Sequence, residues 1–378
     1  MYVSEILINN LRNHVHSELD FGKGLNVLFG LNGSGKTTIL EAISLCGFSK
    51  SFMHVNDSSL MNKEEAFWHV SLNSRNDFDI PYKVNIRFNG SGKKQISSTF
   101  GDNLLPKDVI GELPLVILSP DYKNITSGSP ADRREFIDKI LAQSSKIYVE
   151  DIIKYKKALK QRNNLLIRAK TERHYNPQVI EPWTEVLIKT GAGIIKRRKE
   201  FEVEFVNTFR ERYKDVSKGK EEVWLEYVPS GVKEIDGKTN KDEIKESLKL
   251  AFEKAEKEEL RRGTTLYGPQ KDELKILINS GVAKEYASQG QHKSLLISLK
   301  FSEFHYLKEK KRETPVVLLD DIFSELDIER AEKVLEMVTS NSAQTLITVT
   351  DGETMKKIMP HKADCRFYKV DNGLIYKE

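Results

Sequence analysis

The sequence predicts an α/β fold: a mixed sheet with flanking helices, additional antiparallel strands, and an inserted, mainly helical second lobe. Three observations predict it. A glycine-rich loop lies between an apolar strand and a helix near the start of the chain. From residue 132 the chain changes to helical spacing with few glycines, and short apolar strands return after residue 264. This order predicts that the helical lobe is inserted in the chain between two segments of the α/β lobe.

The glycine-rich loop fits the pattern G-x-x-x-x-G-K-[ST], with residues 25–29 as the strand before it and residues 38–43 as the helix after it. Glycines let backbone N–H groups converge on an anion, and the following helix adds the positive end of its dipole. We therefore predict ATP contacts along this P-loop, from Gly30, Leu31, Asn32, Gly33, Ser34, Gly35, Lys36, Thr37 and Thr38.

Two side chains of the P-loop have roles of their own. Lys36 would reach the β and γ phosphates and take part in catalysis, and the Thr37 hydroxyl would ligate Mg²⁺. The alternative is an ordinary glycine-rich turn. Residues 90–93, Gly-Ser-Gly-Lys, illustrate that alternative, because they lack the first glycine and lie between two alternating runs that predict a hairpin.

Composition sets broad limits on the protein. The 378 residues suggest two or three domains, and the formal charge of +4 permits nucleic-acid binding without requiring it. No apolar run approaches the ~18 residues of a membrane span, and no secretory leader opens the chain, so we expect a cytoplasmic protein without a membrane partner. Cys46 and Cys365 suit reduced, packed thiols, and the scattered histidines make a catalytic zinc site improbable.

The N-terminal part alternates in the manner of strands. Residues 2–8 predict a strand that turns at residues 11–14, and residues 67–72 and 82–88 predict an antiparallel meander. Residues 115–118 form a continuous apolar run, which is typical of a strand buried on both faces.

The middle of the chain predicts helices over residues 152–170 and 183–212, then a strand at 224–228, a polar turn at 233–241 and a helix at 245–260. Residues 154–173 and 196–199 are strongly basic. Each basic stretch is either a DNA-facing surface or a solvated helix face.

The C-terminal part returns to alternating strands and helices. Residues 264–269 and 273–278 predict a strand pair, and residues 294–306 and 330–338 predict helices. Strands are expected at residues 315–319 and 344–350.

The strand at 315–319 ends in two carboxylates. Asp320 at a strand tip suits a ligand for the Mg²⁺ that bridges nucleotide phosphates, although an aspartate there is often a helix cap. Asp321 is the candidate general base for the attacking water. The next residues, Ser324, Glu325, Leu326 and Asp327, suit a capping motif for the following helix, with Ser324 as the cap.

Ser288, Gln289, Gly290 and Gln291 precede the helix at 294–306. The serine suits a helix cap. A serine hydroxyl, a glycine backbone and a helix N-terminus also make a second phosphate site. In a chain with one complete P-loop, a second phosphate site suggests that the nucleotide is shared between two subunits.

This order of motifs resembles the ABC-type ATPase heads of chromosome-maintenance and repair proteins, and within that class the RecF family of bacteria. The resemblance covers nearly the whole chain and rests on residues 10–13, 30–43, 119–121, 128–138, 268–274, 286–291 and 319–327. It implies ATPase-lobe segments at 1–130, with the P-loop, and 291–378, with the Walker B strand. Between them, residues 131–290 form a mainly helical lobe without a long coiled coil.

The resemblance also implies a function. ATP and Mg²⁺ would close a homodimer in which residues 288–291 act in trans as the signature and residues 324–327 as the D-loop. The dimer would bind DNA, mainly double-stranded and near gap junctions but also single-stranded. With RecR and RecO it would promote RecA loading in repair, replication restart and SOS induction. Arg12 is a candidate contact for the base or ribose.

The sequence departs from related patterns at three places. Asp321 stands where transporters have glutamate, and this shorter side chain suggests slow hydrolysis. The resemblance implies that this slow ATPase activity is stimulated by DNA. Thr350 or Asp351 stands near the place of their switch histidine, and Gln270-Lys271 replaces an expected His-Arg. A transporter subunit and a nuclease-linked relative fit the motifs less well. An ATP-gated dimerisation module with little or no hydrolysis stays open as the alternative.

Overall fold

The computed structural model describes residues 1–90, 92–172, 176–217, 219, 221–233, 235–359 and 364–378. The chain divides into two compact units, Met1–Lys123 with Lys293–Glu378 as unit 1 and Asn124–His292 as unit 2. Unit 2 is therefore inserted into unit 1, between residues 123 and 293.

The strands are numbered along the chain. They are β1 Tyr2–Leu11, β2 His14–Asp20, β3 Leu25–Phe29, β4 Trp68–Arg75, β5 Pro81–Phe88, β6 Lys94–Ser98, β7 Leu115–Leu118, β8 Val223–Val228, β9 Glu273–Ile278, β10 Gly281–Val282, β11 Val316–Asp320, β12 Thr345–Val349, β13 Cys365–Asp371 and β14 Leu374–Lys377.

The helices follow the same numbering. They are α1 Lys36–Phe48, α2 Pro106–Val109, α3 Asn124–Ser127, α4 Pro130–Ser144, α5 Lys146–Glu172, α6 Pro177–Ser217, α7 Lys241–Arg262, α8 Ala283–Tyr286, α9 Gln289–Lys311, α10 Ile328–Ser340 and α11 Gly352–Ile358. In the part of the chain described, no helix is long and apolar enough to cross a membrane.

Unit 1 contains two sheets. The first has the order β14-β13-β3-β12-β11-β7, parallel except for β14, and the second is antiparallel with the order β2-β1-β4-β5-β6. Helix α1 packs with both sheets, because Ile39 and Ile43 share one apolar cluster with Ile6, Val84 and Leu318. The predicted mixed sheet with additional antiparallel strands is confirmed.

The apolar runs at β7 and β11 are buried along their whole length, as expected for strands covered on both faces. Strand β12 is buried along its whole length as well. Strands β4 and β5 pair in the predicted meander. The expected hairpin after β5 is confirmed by the antiparallel pairing of β5 with β6, and Ser91 of its turn lies outside the described residues. Strands β13 and β14, which complete the first sheet, were not predicted.

Unit 2 combines helices α4 to α7 with a three-stranded sheet of order β10-β9-β8. A buried charge network joins α4, α6 and the segment before β9. The Arg198 guanidinium donates to Asp138 at 2.8 Å and to Asp272 at 2.8 Å, and Tyr227 donates to Asp272. Fully hydrogen-bonded charges of this kind make a specific internal arrangement.

The predicted strand at residues 264–269 is wrong. Strand β9 pairs with β8 and β10 instead. The backbone N–H groups of Thr265 and Leu266 donate to the side chains of Asn163 and Glu259, both at short distance (2.9 and 2.7 Å), so a ladder is not needed to satisfy them. An alternating pattern indicates a strand only when a neighbouring strand is in place to pair with it.

Candidate nucleotide-binding site

The site lies at the carboxyl ends of three adjacent parallel strands. Strand β12 lies between β3 and β11, with Val349 opposite Phe29 and Thr348 opposite Asp320. The P-loop follows β3, and Asp321 follows β11. Because parallel strands end on the same edge of a sheet, residues that are almost three hundred positions apart meet here.

The P-loop backbone requires glycine at two of its turns. Gly33 has φ +81° and Gly35 has φ +112°, both in the region that favours glycine. A Cβ atom on Gly35 would lie 2.5 Å from the Nε2 atom of His14. Any side chain at position 35 would therefore displace the residues that hold the loop.

Two carbonyl groups of the P-loop are anchored on its outer side. The Ser34 carbonyl accepts hydrogen bonds from the Asn13 amide at 2.9 Å and from the Gly373 N–H at 2.9 Å. The Gly35 carbonyl accepts one from His14 Nε2 at 3.0 Å. A trans peptide unit points its C=O and the next N–H in opposite directions. The N–H groups of Gly35 and Lys36 are thus directed inward, as in an anion-binding nest.

The Lys36 ammonium lies at the mouth of this loop. Its Nζ atom donates to the carbonyls of Gly30 at 2.7 Å and Leu31 at 2.9 Å. Burial lowers the pKa of Lys36, and the nearby carboxylates of Asp321 and Asp320 oppose that shift. The side chains of Ser34 and Thr38 are buried as well.

The Ser34 hydroxyl gives a direct test of whether a phosphate fits this loop. Its Oγ atom is buried and has no hydrogen-bond partner among the described residues. Buried polar groups are normally hydrogen-bonded, so an unsatisfied hydroxyl beside inward N–H groups and an ammonium suits a phosphate oxygen. The residues present therefore fit a nucleotide phosphate.

Two threonines hold Asp320. Thr37 Oγ1 and Thr348 Oγ1 each donate to Asp320 Oδ1 at 2.8 Å. Burial raises the pKa of Asp320, and these two hydrogen bonds oppose the rise. A Thr37 hydroxyl that gives its proton to a carboxylate keeps its lone pairs for a cation, so Thr37 and Asp320 fit a Mg²⁺ site made of oxygen ligands.

Asp321 follows directly in the left-handed region, with φ +47°. Its N–H donates to Thr348 Oγ1 at 2.9 Å, and its carbonyl accepts from Ser324 Oγ at 2.7 Å. Thr348 therefore positions both carboxylate residues of the predicted Walker B strand end.

Arg12 is held by α1. Its guanidinium approaches the carboxylate of Glu41 at 2.6 Å and 2.9 Å, and Glu41 is only 1% exposed. Arg12 itself has φ +52°. A contact between Arg12 and the base or ribose stays a prediction, since in this structure the guanidinium pairs with Glu41.

The predicted signature lies in unit 2. The Ser288 hydroxyl accepts from the Gln291 N–H at 3.2 Å, and the Gln291 side chain accepts from the Ser288 N–H at 2.6 Å. This reciprocal arrangement is a capping box at the start of α9. Gln289 and Gly290 begin that helix. The capping role is confirmed, and the signature role stays a prediction.

The predicted D-loop, residues 324–327, lies in unit 1. The prediction that Ser324 caps the next helix is wrong. Asp327 caps α10 instead, because its side chain accepts a hydrogen bond from the Arg330 N–H at 2.9 Å. Ser324 instead donates to Asp321, and Glu325 is exposed while Leu326 is half-buried. Thr350 is exposed, and Asp351 caps α11.

Sequence reasoning assigned no role to Asn13, His14, Thr348 or Gly373. Asn13 lies in the turn after β1 and His14 begins β2, and polar residues at a turn beside a P-loop are a weak signal at most. Thr348 ends a strand next to the acidic one, which could have been noticed once the strand order was known. Gly373 lies far along the chain in an unpredicted hairpin, so nothing local pointed to it.

Comparison with known proteins adds independent evidence. A model described as an AAA domain matches residues 5–177. The DNA replication and repair protein RecF of Prosthecochloris aestuarii is 40% identical over 354 residues, 93% of this chain and 94% of its own. The protein of the same name from Clostridium acetobutylicum is 34% identical over 381 residues, covering 99% of each chain.

Solved structures give the same result as the sequence relatives. The recombination mediator protein RecF with ATP, from the RecFOR pathway, matches with a TM-score of 0.91 at 31% identity, covering 100% of this chain and 97% of that one. An Smc head bound to the C-winged helix domain of ScpA matches with a TM-score of 0.56 at 16% identity, covering 100% of this chain and 97% of that one. The Smc likeness shows a shared fold alone.

Thr348→Val removes one of the two hydrogen bonds to Asp320 and the acceptor of the Asp321 N–H. We expect Mg²⁺-dependent ATP affinity to fall about ten-fold, because a hydrogen bond to a charged group contributes about 1.5–3 kcal/mol. Calorimetry with Mg²⁺ and with a chelator measures this. Thr171→Val, at an exposed position of α5 in unit 2, is the control. Equal Mg²⁺-dependent affinity in the two variants would show that Thr348 does not position the site.

His14 makes the fold sensitive to acid. Its buried ring lies 2.8 Å from Ser17 Oγ, and burial lowers the pKa of His14 although the Gly35 hydrogen bond opposes the shift. The unfolded chain binds a proton near pH ~6.5 that the folded chain excludes. Stability should therefore fall as the pH drops from that value to the lowered pKa, by at most about 1.4 kcal/mol per pH unit.

Urea unfolding from pH 7.5 to 5.5 measures that loss. His14→Gln keeps a donor for the Gly35 carbonyl and should lose less stability on acidification than the wild type. His16→Gln removes an imidazole from an exposed position of the same strand and is the matched control. An acid dependence in His14→Gln as steep as in the control would contradict the assignment.

Proposed function

The chain belongs to the RecF family of DNA replication and repair proteins, and on that premise we propose that it is an ATP-dependent, DNA-binding recombination mediator. It binds DNA where single-stranded gaps meet duplex and promotes the loading of RecA in repair, replication restart and SOS induction. RecR and RecO are its proposed partners. It acts in the bacterial cytoplasm, on double-stranded DNA chiefly and on single-stranded DNA as well.

The observation that carries the proposal is the meeting of an anchored P-loop with a threonine-held carboxylate at one sheet edge. Inward N–H groups and Lys36 bind the phosphates of ATP, and Thr37 and Asp320 hold Mg²⁺. When bound, Mg²⁺ neutralises phosphate charge and polarises the γ-phosphoryl group. Around it, this chain orients the phosphates and keeps Asp320 in one rotamer.

ATP also acts as the ligand that closes a homodimer, with the signature of one subunit completing the site of the other. The signature is accessible for this role, because the side chains of Ser288 and Gln289 are exposed and nearby Tyr286 is 72% exposed. In unit 1, Leu31 in the P-loop is 81% exposed and Ile328 beside the D-loop is 71% exposed. Apolar side chains exposed at these motifs suit a surface that dimerisation covers.

Hydrolysis is the slow step that reopens the dimer. Asp321 follows the Mg²⁺ ligand Asp320 and is the proposed base for the attacking water. Its left-handed backbone, held by Thr348 and Ser324, turns the chain sharply after the strand. A carboxylate one methylene shorter than glutamate reaches less far, which supports a low rate of hydrolysis.

Sedimentation at increasing protein concentration, with and without Mg-ATP, tests the shared site. ATP should produce a dimer for the wild type but not for Lys36→Ala, which loses a phosphate ligand, or Ser288→Arg, which places a bulky charge at the signature. Gln178→Arg adds the same charge at an exposed position near the start of α6 in unit 2 and should dimerise normally. If Ser288→Arg also dimerises, the signature is only a helix cap and the sandwich is rejected.

Phosphate release with and without duplex DNA distinguishes an ATPase from a dimerisation module in which ATP is only a ligand. We expect slow, DNA-stimulated release that falls about 100-fold in Asp321→Asn, the usual size of a general-base effect. Asparagine tolerates the left-handed backbone, so this variant should still dimerise with ATP. Absence of release from the wild type under both conditions would favour the dimerisation module.

A further inference from the structure

The two basic stretches of unit 2 have different environments. In the stretch at residues 196–199, Arg197 pairs with Asp151 at 2.8 Å, Arg198 is buried against Asp138 and Asp272, and Lys199 pairs with Glu202 at 2.5 Å. Lys196 lies 3.8 Å from Glu200. Carboxylates of unit 2 pair with all four basic residues of this stretch, so its positive charge is balanced within the unit.

In the stretch at residues 154–173, two members are also neutralised. Arg162 is buried against Glu259 at 2.7 Å and Lys154 lies 3.5 Å from Glu150. Arg173 lies outside the described residues. Five further basic side chains are exposed and have no ion pair among the described residues. We name them the α5 basic face, and they are Lys156, Lys157, Lys160, Arg168 and Lys170.

The geometry of α5 gathers these five charges on one side. At 3.6 residues per turn they occupy an arc of about 160°, opposite the buried side chains of Tyr155, Ala158, Arg162 and Leu166. Along the axis they span about 21 Å, at 1.5 Å per residue. Residues 152–171 contain no Asp or Glu, so no carboxylate of this segment interrupts the row.

We infer that the α5 basic face binds the phosphate backbone of duplex DNA. This inference rests on the proposed function and names the surface that serves it. Duplex DNA carries about one negative charge per 1.7 Å, so a 21 Å row of unpaired cations faces several phosphates. Lysine, which makes up four of the five residues, acts as a point charge and gives positioning without base readout.

An acidic protein surface is the competing occupant, and two features disfavour it. Protein interfaces are depleted in lysine relative to the rest of the surface. The α5 basic face is rich in lysine and has one sign only. A regular polyanion satisfies a long row of like charges better than a protein patch does.

The test compares two triple variants with the same loss of charge. Lys157→Gln/Lys160→Gln/Arg168→Gln removes three members of the α5 basic face. The control, Lys249→Gln/Lys254→Gln/Lys257→Gln, removes three exposed lysines from α7, where glutamates at 246, 253, 256 and 258 are interspersed. Binding of the full chain to a 30-base-pair duplex of mixed sequence is measured by fluorescence anisotropy with Mg-ATP over a range of NaCl concentrations.

The α5 triple variant should weaken binding about ten-fold or more and lower the slope of log K against log salt by about 2 to 3, because each lost phosphate contact removes about 0.9. The α7 control should change affinity less than two-fold. Equal weakening by both triples, or none by the α5 triple, would overturn the inference. If the wild type binds no DNA at all, the proposed function fails as well, so the two failures are distinguishable.

A second measurement avoids substitution. Acetylation of the wild-type protein with a lysine-reactive ester, followed by mass spectrometry, should show protection of Lys156, Lys157, Lys160 and Lys170 when the duplex is added. Lys249, Lys254 and Lys257 should react equally with and without DNA. Protection of the α5 lysines by an acidic polypeptide such as polyglutamate but not by the duplex would assign the surface to a protein partner and reject the inference.

Discussion

The site depends on the outward anchoring of two P-loop carbonyls. Asn13 and Gly373 hold the Ser34 carbonyl, and His14 holds that of Gly35. Because each trans peptide directs its N–H opposite to its C=O, these contacts determine where the following N–H groups point. A glycine-rich loop alone is mobile, and the anchors convert it into a preorganised anion site. Such preorganisation removes most of the ordering cost from the binding step.

The carboxylate half of the site, at Asp320, is also held by a few side chains from distant parts of the chain. Thr37 begins α1, and Thr348 ends the strand beside β11, yet both donate to one oxygen of Asp320. Burial makes the charged carboxylate unfavourable, and the two hydroxyls compensate for lost water. A cation at this place would complete the compensation. The two hydrogen bonds therefore hold the buried carboxylate in place, and the charge that remains on it favours a divalent ion.

The basic residues of unit 2 have two uses, one inside the fold and one at the surface. Arg162 and Arg198 are buried among carboxylates and threonine or tyrosine hydroxyls, and they hold helices together. Breaking one partner of such a pair would leave an uncompensated buried charge. The lysines of the α5 basic face instead lie on the exposed side of their helix. The number of basic residues in the sequence did not distinguish the buried, paired side chains from the exposed ones. The position of each residue around its helix did.

The sequence by itself determined the P-loop, the buried strands β7 and β11, the strand β12, and the acidic strand end at Asp320, because each depends on a local pattern of apolar, glycine and charged residues. Only the tertiary structure decided strand order, the anchoring of the loop by His14 and Gly373, and the pairing of β9 with β8 rather than with residues 264–269. Those contacts join distant parts of the chain. Their energies depend on which groups meet after folding, and no local pattern contains that information.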